Sequence, residues 1–165
     1  MPEIMPFGRF GKQRLSVEQI ALKDYKYFVW VMDNIELRKP SLRNRFDYVE
    51  HVVNNFKSQQ PCANSGCDEP AKHASIYRNW YMNYQGSGLS FVYCSEDCWH
   101  AGATGAQQSK ISLEPLKFRT ALASTKGDTN NLVKMMAECM GLRKGRRTKE
   151  YLEEFFDNCE LWTPF

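Results

Sequence analysis

Six cysteines punctuate the chain, and four of them fall into two close pairs. Cys62 and Cys67 have four residues between them, and Cys94 and Cys98 have three. A thiolate pair on a tight turn aims two sulfurs at one point, and two such turns brought together make a four-coordinate shell. Zn²⁺ takes four ligands tetrahedrally, and an all-sulfur shell leaves no open position for a substrate. Cys62, Cys67, Cys94 and Cys98 are therefore the expected ligands of a structural Zn²⁺. Two other readings of the same spacing exist. A disulfide pair needs an oxidising compartment, and four structural thiols need no ion at all. His73 and His100 are reserve ligands, with a place on the surface or beside the ligating cysteines as the simpler reading.

The residues around the second pair read Tyr93-Cys94-Ser95-Glu96-Asp97-Cys98-Trp99-His100. Ser95 suits an N-cap, and Glu96 and Asp97 suit the first turn of a helix. The second pair is thus expected to open a helix with Cys98 on its first turn. A cysteine knuckle, a hairpin, and a knuckle leading into a helix resembles a treble-clef zinc finger over roughly forty residues.

These ligands must be positioned by a chain of 165 residues, long enough for one compact domain or two small ones. Hydrophobic residues make up 42 %, enough for a core without disulfides. The formal net charge of +3 permits a nucleic-acid partner without demanding one. No apolar run reaches the length of a membrane span. The first ten residues lack the charged-then-apolar pattern of a secretory leader. The expectation is a reducing, cytoplasmic setting, with Cys139 and Cys159 as free thiols in helical patterns.

Ser16 and Gln19 form a candidate capping box for a helix through residue 22. Asp24 can cap a second helix over 25–33, with Tyr25, Phe28, Val29 and Met32 on its apolar face. The run Phe7-Gly8-Arg9-Phe10-Gly11-Lys12, then Leu15, then Asp24-Tyr25 with Tyr27-Phe28 and Trp30, resembles a known small domain. That domain stands at the C-terminus of exonuclease-X-like proteins and recurs in putative quorum-sensing-regulated virulence factors. The resemblance covers about thirty residues and implies a nucleic-acid-associated accessory module. The motif carries no catalytic residue.

Residues 40–57 are the clearest helix, with Leu42, Phe46, Val49, Val53 and Phe56 as a core-facing stripe. Residues 58–61 read as a polar linker. A strand is expected from residue 73 to about 84, a turn at Gly86-Ser87-Gly88, and a second strand over 89–93. Residues 112–123 read as an amphipathic helix with Pro115 in its first turn. Further helices follow, one capped at Asp128 or Thr129 and stopped by Gly141, the last capped by Thr148. The fold class expected is α+β, mostly helical: an N-terminal helical module over 1–57, a zinc-stabilised β-hairpin module over 58–110, and C-terminal helices over 111–165.

Basic residues occur in separate segments. Arg9, Lys12 and Arg14 stand beside Phe7 and Phe10, Arg78 lies in the aromatic hairpin with Trp80, Tyr81 and Tyr84, and Arg143, Lys144, Arg146 and Arg147 make the densest run. Cations neutralise phosphates and aromatic faces stack unpaired bases. The expected function is a non-catalytic, zinc-binding accessory protein for nucleic acid, with single-stranded DNA or RNA favoured. The alternative is a zinc-stabilised adaptor for another protein. No nucleophile elbow, phosphate loop or metal-water site occurs at the needed spacing, and Asp24, Asp33 and Glu36 suit caps or solvent better than a nuclease cluster. Neither a small-molecule substrate nor a membrane is expected as a partner.

Overall fold

Local chemistry in the first third of the chain fixes where its helices start. The structure, a computed structural model, describes residues 1–78, 87–102, 111–124, 129–158, 160 and 162. A one-turn helix, α1 (Gly8–Gly11), begins at a glycine with φ +71, where a Cβ would collide with the Tyr27 hydroxyl. Only glycine fits such a position without displacing the tyrosine. Helix α2 (Val17–Lys23) carries the complete capping box, with the Ser16 hydroxyl and the Gln19 amide satisfying each other's backbone N–H groups. Asp24 accepts from the Tyr27 N–H and opens α3 (Tyr25–Asn34). Pro40, with no N–H to leave unsatisfied, stands at the start of α4 (Pro40–Asn55). The α4 stripe is buried as expected, Leu42, Phe46, Val49 and Val53 on the helix and Phe56 at its C-cap.

The middle of the chain forms a three-stranded antiparallel sheet in the order β2-β1-β3. Strand β1 (His73–Arg78) is central, β2 (Ser87–Tyr93) is its hairpin partner, and β3 (Ile111–Pro115) lies on its other side. The β1–β2 register shifts between Ser75 and Ile76, which pair with Phe91 and Leu89, so Ser90 is the extra residue of a bulge. Two expectations are corrected here. Ser87 and Gly88 belong to β2, paired with Arg78 and Tyr77, and are not part of a turn. Residues 111–115 are a strand and not the start of a helix, and the helix that follows, α6, is confined to Phe118–Ser124. A two-stranded hairpin is marginal alone, and a third strand completes the sheet. Pro115 is accommodated because β3 is an edge strand. Between β2 and β3 falls α5 (Glu96–Gly102), described below.

Helix α7 (Thr129–Cys139) ends in a Schellman motif. Leu142 N–H donates to Ala137 O at 3.2 Å and Gly141 N–H to Glu138 O at 3.0 Å, with Gly141 at φ +95. Thr148 caps α8 (Lys149–Asp157), its hydroxyl accepting from the Tyr151 N–H. Among the described residues, eight helices and one small sheet make an α+β, mostly helical fold.

One buried hydrophobic cluster draws on the whole chain. It runs from Met5 through Phe28 and Phe46 to Ala74, Ile76 and Val92 of the sheet, and on to Met136, Cys139 and Phe156. Segments 1–57, 58–110 and 111–165 all contribute to it. Cys139 sits within it, its thiol pushed up to about 11 by burial and by Glu138. Cys159 lies outside the described residues. Two polar networks cross the core boundary. Tyr25 donates to Glu50 at 2.7 Å while Asn54 and Arg119 hold the other side of that carboxylate and phenol, joining α3, α4 and α6. Arg45 of α4 pairs with the fully buried Glu18 of α2 and with Asp157 of α8.

Candidate metal centre

The first knuckle is a short loop pinned at its base and bent at its tip. Cys62 N–H donates to Glu69 O at 2.8 Å, beneath an isolated bridge between Pro61 and Pro70. Cys67 N–H closes back on Asn64 O at 3.1 Å, with Gly66 at φ +80 supplying the left-handed residue of the bend. Two further bonds dock this loop on the sheet, Ala63 N–H to Val92 O at 2.8 Å and Lys72 N–H to Tyr93 O at 3.0 Å. The second knuckle follows β2 directly. Cys94 succeeds Tyr93, and Ser95 then caps α5, its Oγ accepting from the Cys98 N–H at 3.2 Å and its carbonyl from the Trp99 N–H at 3.1 Å. Cys98 therefore stands on the first turn of α5, as the sequence leads one to expect.

These two loops bring all four sulfurs within 4.8 Å of one another. Cys94 and Cys98 are 3.5 Å apart, Cys67 and Cys94 3.7 Å, and Cys67 and Cys98 3.9 Å. A tetrahedron with metal–sulfur bonds of about 2.3 Å has sulfur–sulfur edges of about 3.8 Å. The three edges match that figure, and they are far longer than the roughly 2.0 Å of a disulfide. Cys62, Cys67, Cys94 and Cys98 can thus hold a metal ion. Neither reserve histidine joins the cluster: His73 lies in β1, and His100 lies 3.3 Å from Glu96 on the exposed side of α5.

The four sulfurs lie close enough to set one another's protonation. Cys98 is lowered to about 7, chiefly by a hydrogen bond from the Asn64 amide and further by Cys94 and Ser95. At Cys94 the Ser95 hydroxyl favours the thiolate, but the contacts with Cys98, burial and the other two sulfurs outweigh it and push the group up to about 12. Cys67 is also raised: the Glu69 backbone amide and Cys94 favour its thiolate, and burial with Cys98 and Cys62 prevails. Four like charges at this spacing cannot coexist unless a metal ion among them offsets their repulsion. Asn64 was not singled out in the sequence. Its signal was its place in a Cys-Ala-Asn-Ser-Gly-Cys loop, where a short amide side chain reaches a neighbouring sulfur.

The candidate nucleic-acid residues scatter more widely. Arg9 pairs with Asp24 and lies 4.6 Å from the Tyr27 ring centroid and 4.9 Å from that of Phe10. Lys12 and Arg14 are exposed in the turn after α1. Arg78 ends β1, and its side chain lies outside what the structure describes, as do Trp80, Tyr81 and Tyr84. In the loop between α7 and α8, Arg143 covers the Tyr151 ring at 4.2 Å and donates to Arg146 O, while Arg147 donates to Arg143 O. Lys144 and Arg146 are exposed. Arg147 and Lys23, far apart in sequence, line one shallow groove of about 230 Å³ with Leu15, Gln19, Leu22 and Leu152. Asp24 is a cap and an ion-pair partner, and Asp33 and Glu36 are exposed. No described helix is long and apolar enough to cross a membrane. Compared with protein-family profiles, with curated proteins and with solved structures, this chain matches none.

Proposed function

We propose that this chain is a zinc-stabilised, non-catalytic accessory protein that binds single-stranded nucleic acid. Zinc is the metal of choice because a closed tetrahedral shell of four thiolates suits a structural ion. The order of knuckle, hairpin, and knuckle opening a helix supports a treble-clef reading of the same segment. The observation that carries the binding half is the meeting of two basic segments across one groove, Lys23 of α2 and the 143–147 loop, with Gln19 bonded to the Arg147 carbonyl. Contacts of this kind go to phosphates, so binding is expected to be salt-sensitive and weakly sequence-specific.

The test has two arms. Elemental analysis of protein purified without chelators should find one equivalent of zinc, and iron in its place would overturn the choice of metal. Fluorescence anisotropy with labelled oligonucleotides should show single strands bound more tightly than duplex and weakening as salt rises. Equal indifference to both, at all salt concentrations, removes the nucleic-acid reading. A second reading, an adaptor for another protein, draws on the exposed Trp30 of α3 and Phe91 of β2, 50 % and 61 % open. Scattered exposed aromatics are ordinary on a protein surface, so this reading ranks behind the first.

A further inference from the structure

Away from the metal, the end of α4 and the linker after it face the sheet and the start of α6 across a cleft of about 670 Å³. Its size falls within the range of ligand sites, roughly 300 to 1,000 Å³. Lys57, Lys72 and Lys117 line it from three connecting segments, after α4, before β1 and between β3 and α6, and no carboxylate is among its lining residues. None of the three lysines forms an ion pair among the described residues. Glu50, one turn from the Asn54 on the cleft wall, is already taken up by Tyr25 and Arg119. Phe56, Pro70, Ala71, Pro115 and Leu116 supply the apolar side chains of the lining, and of these the two prolines are the exposed ones.

Three unpaired ammonium groups around one concavity repel each other and attract a ligand that carries several spaced negative charges. The apolar wall asks for more than charge. A duplex keeps its bases stacked inside, whereas an unpaired strand presents base and sugar faces to such a wall. We propose that this cleft seats the backbone of a single-stranded nucleic acid, with Lys57, Lys72 and Lys117 on its phosphodiesters. This rests on the nucleic-acid reading above and gives it a second, separate place on the surface.

The test compares the full chain with the Lys57→Gln/Lys72→Gln/Lys117→Gln variant, using a labelled single-stranded oligonucleotide over a salt series. Each phosphate contact contributes about 0.7 to the slope of log affinity against log salt, so the variant's slope should flatten by about 2. Affinity at low salt should fall roughly tenfold or more. Unchanged zinc content and circular dichroism certify the fold, and if the triple variant fails to fold, each single variant should flatten the slope by about 0.7. A chain that binds the strand with the same slope in wild type and variants overturns the cleft and leaves the nucleic-acid reading standing. In that case the Arg143→Gln/Arg146→Gln/Arg147→Gln variant should show the loss instead. A wild-type chain that binds no strand at all overturns both.

Discussion

The cysteine loops and the helical body of this protein differ in how much they bury. Between residues 59 and 70 only Cys62 is buried, and α5 buries nothing. In α2, by contrast, Val17, Glu18, Ile20 and Ala21 are all buried within seven residues. The loops cannot repay their ordering entropy by apolar burial, because they bury almost no apolar surface. What they have is a few backbone bonds to the sheet and four sulfurs that can close on a metal ion. The helical body needs no ion, since its cluster reaches from Met5 to Phe156. One chain therefore combines two stabilities, local and chemical in the knuckles, distributed and hydrophobic in the helices.

The sharpest way to break this contrast is to remove a ligand. Cys98→Ser should forfeit part of a metal-binding free energy that totals about 10 to 16 kcal/mol for a complete structural zinc site. Hydrogen exchange should then rise over 61–70 and 94–102 while α2, α3 and α4 stay protected. Loss of protection everywhere at once would mean that the two regions are a single cooperative unit. The converse test is Phe46→Ala, where a ring stacked 4.9 Å from Phe28 is deleted from the body. It should cost about 3 to 5 kcal/mol in denaturant unfolding, with zinc content unchanged. A smaller effect separates burial from charge. Glu18→Ala strands the half-buried Arg45 on Asp157 alone and should cost roughly 3 kcal/mol. Adding Arg45→Met should recover much of that loss, and no recovery would show that the pair matters for more than its own neutralisation. Smallest is the cap: Ser16→Ala should cost about 1 kcal/mol and leave the metal centre untouched.

What could be read from the sequence followed how local the cause was. Ser16 with Gln19, Asp24, Thr148 and Gly141 act within four residues of themselves, and each ends or starts a helix where its chemistry says it should. The cysteine pairs were legible for the same reason, since each pair is confined to one loop. Residues 111–115 were not. Their strand character comes from pairing with β1, nearly forty residues earlier, and Pro115 reads equally well as a first helical residue or the end of an edge strand. Ser87 and Gly88 look like a turn until Tyr77 and Arg78 are laid beside them. Arg45 reads as a surface charge because Glu18 and Asp157 lie in other helices. The lysine cleft is the extreme case, as no two of its three cations share a connecting segment.

The polar stretch after α4, which reads as a linker, is tied down from several sides. Phe56 bridges to Trp162, Gln59 N–H donates to Cys139 O at 2.8 Å, and Ala71 N–H donates to Gln60 O at 3.0 Å. Across the cleft, Leu116 N–H donates to Lys72 O at 3.1 Å. The walls that carry Lys57, Lys72 and Lys117 are thus set at folding and not at the moment of encounter. An incoming ligand meets a preorganised seat, so only its own freedom is lost on arrival, along with that of three flexible side chains. Such a seat favours fast, reversible capture over a slow clamp.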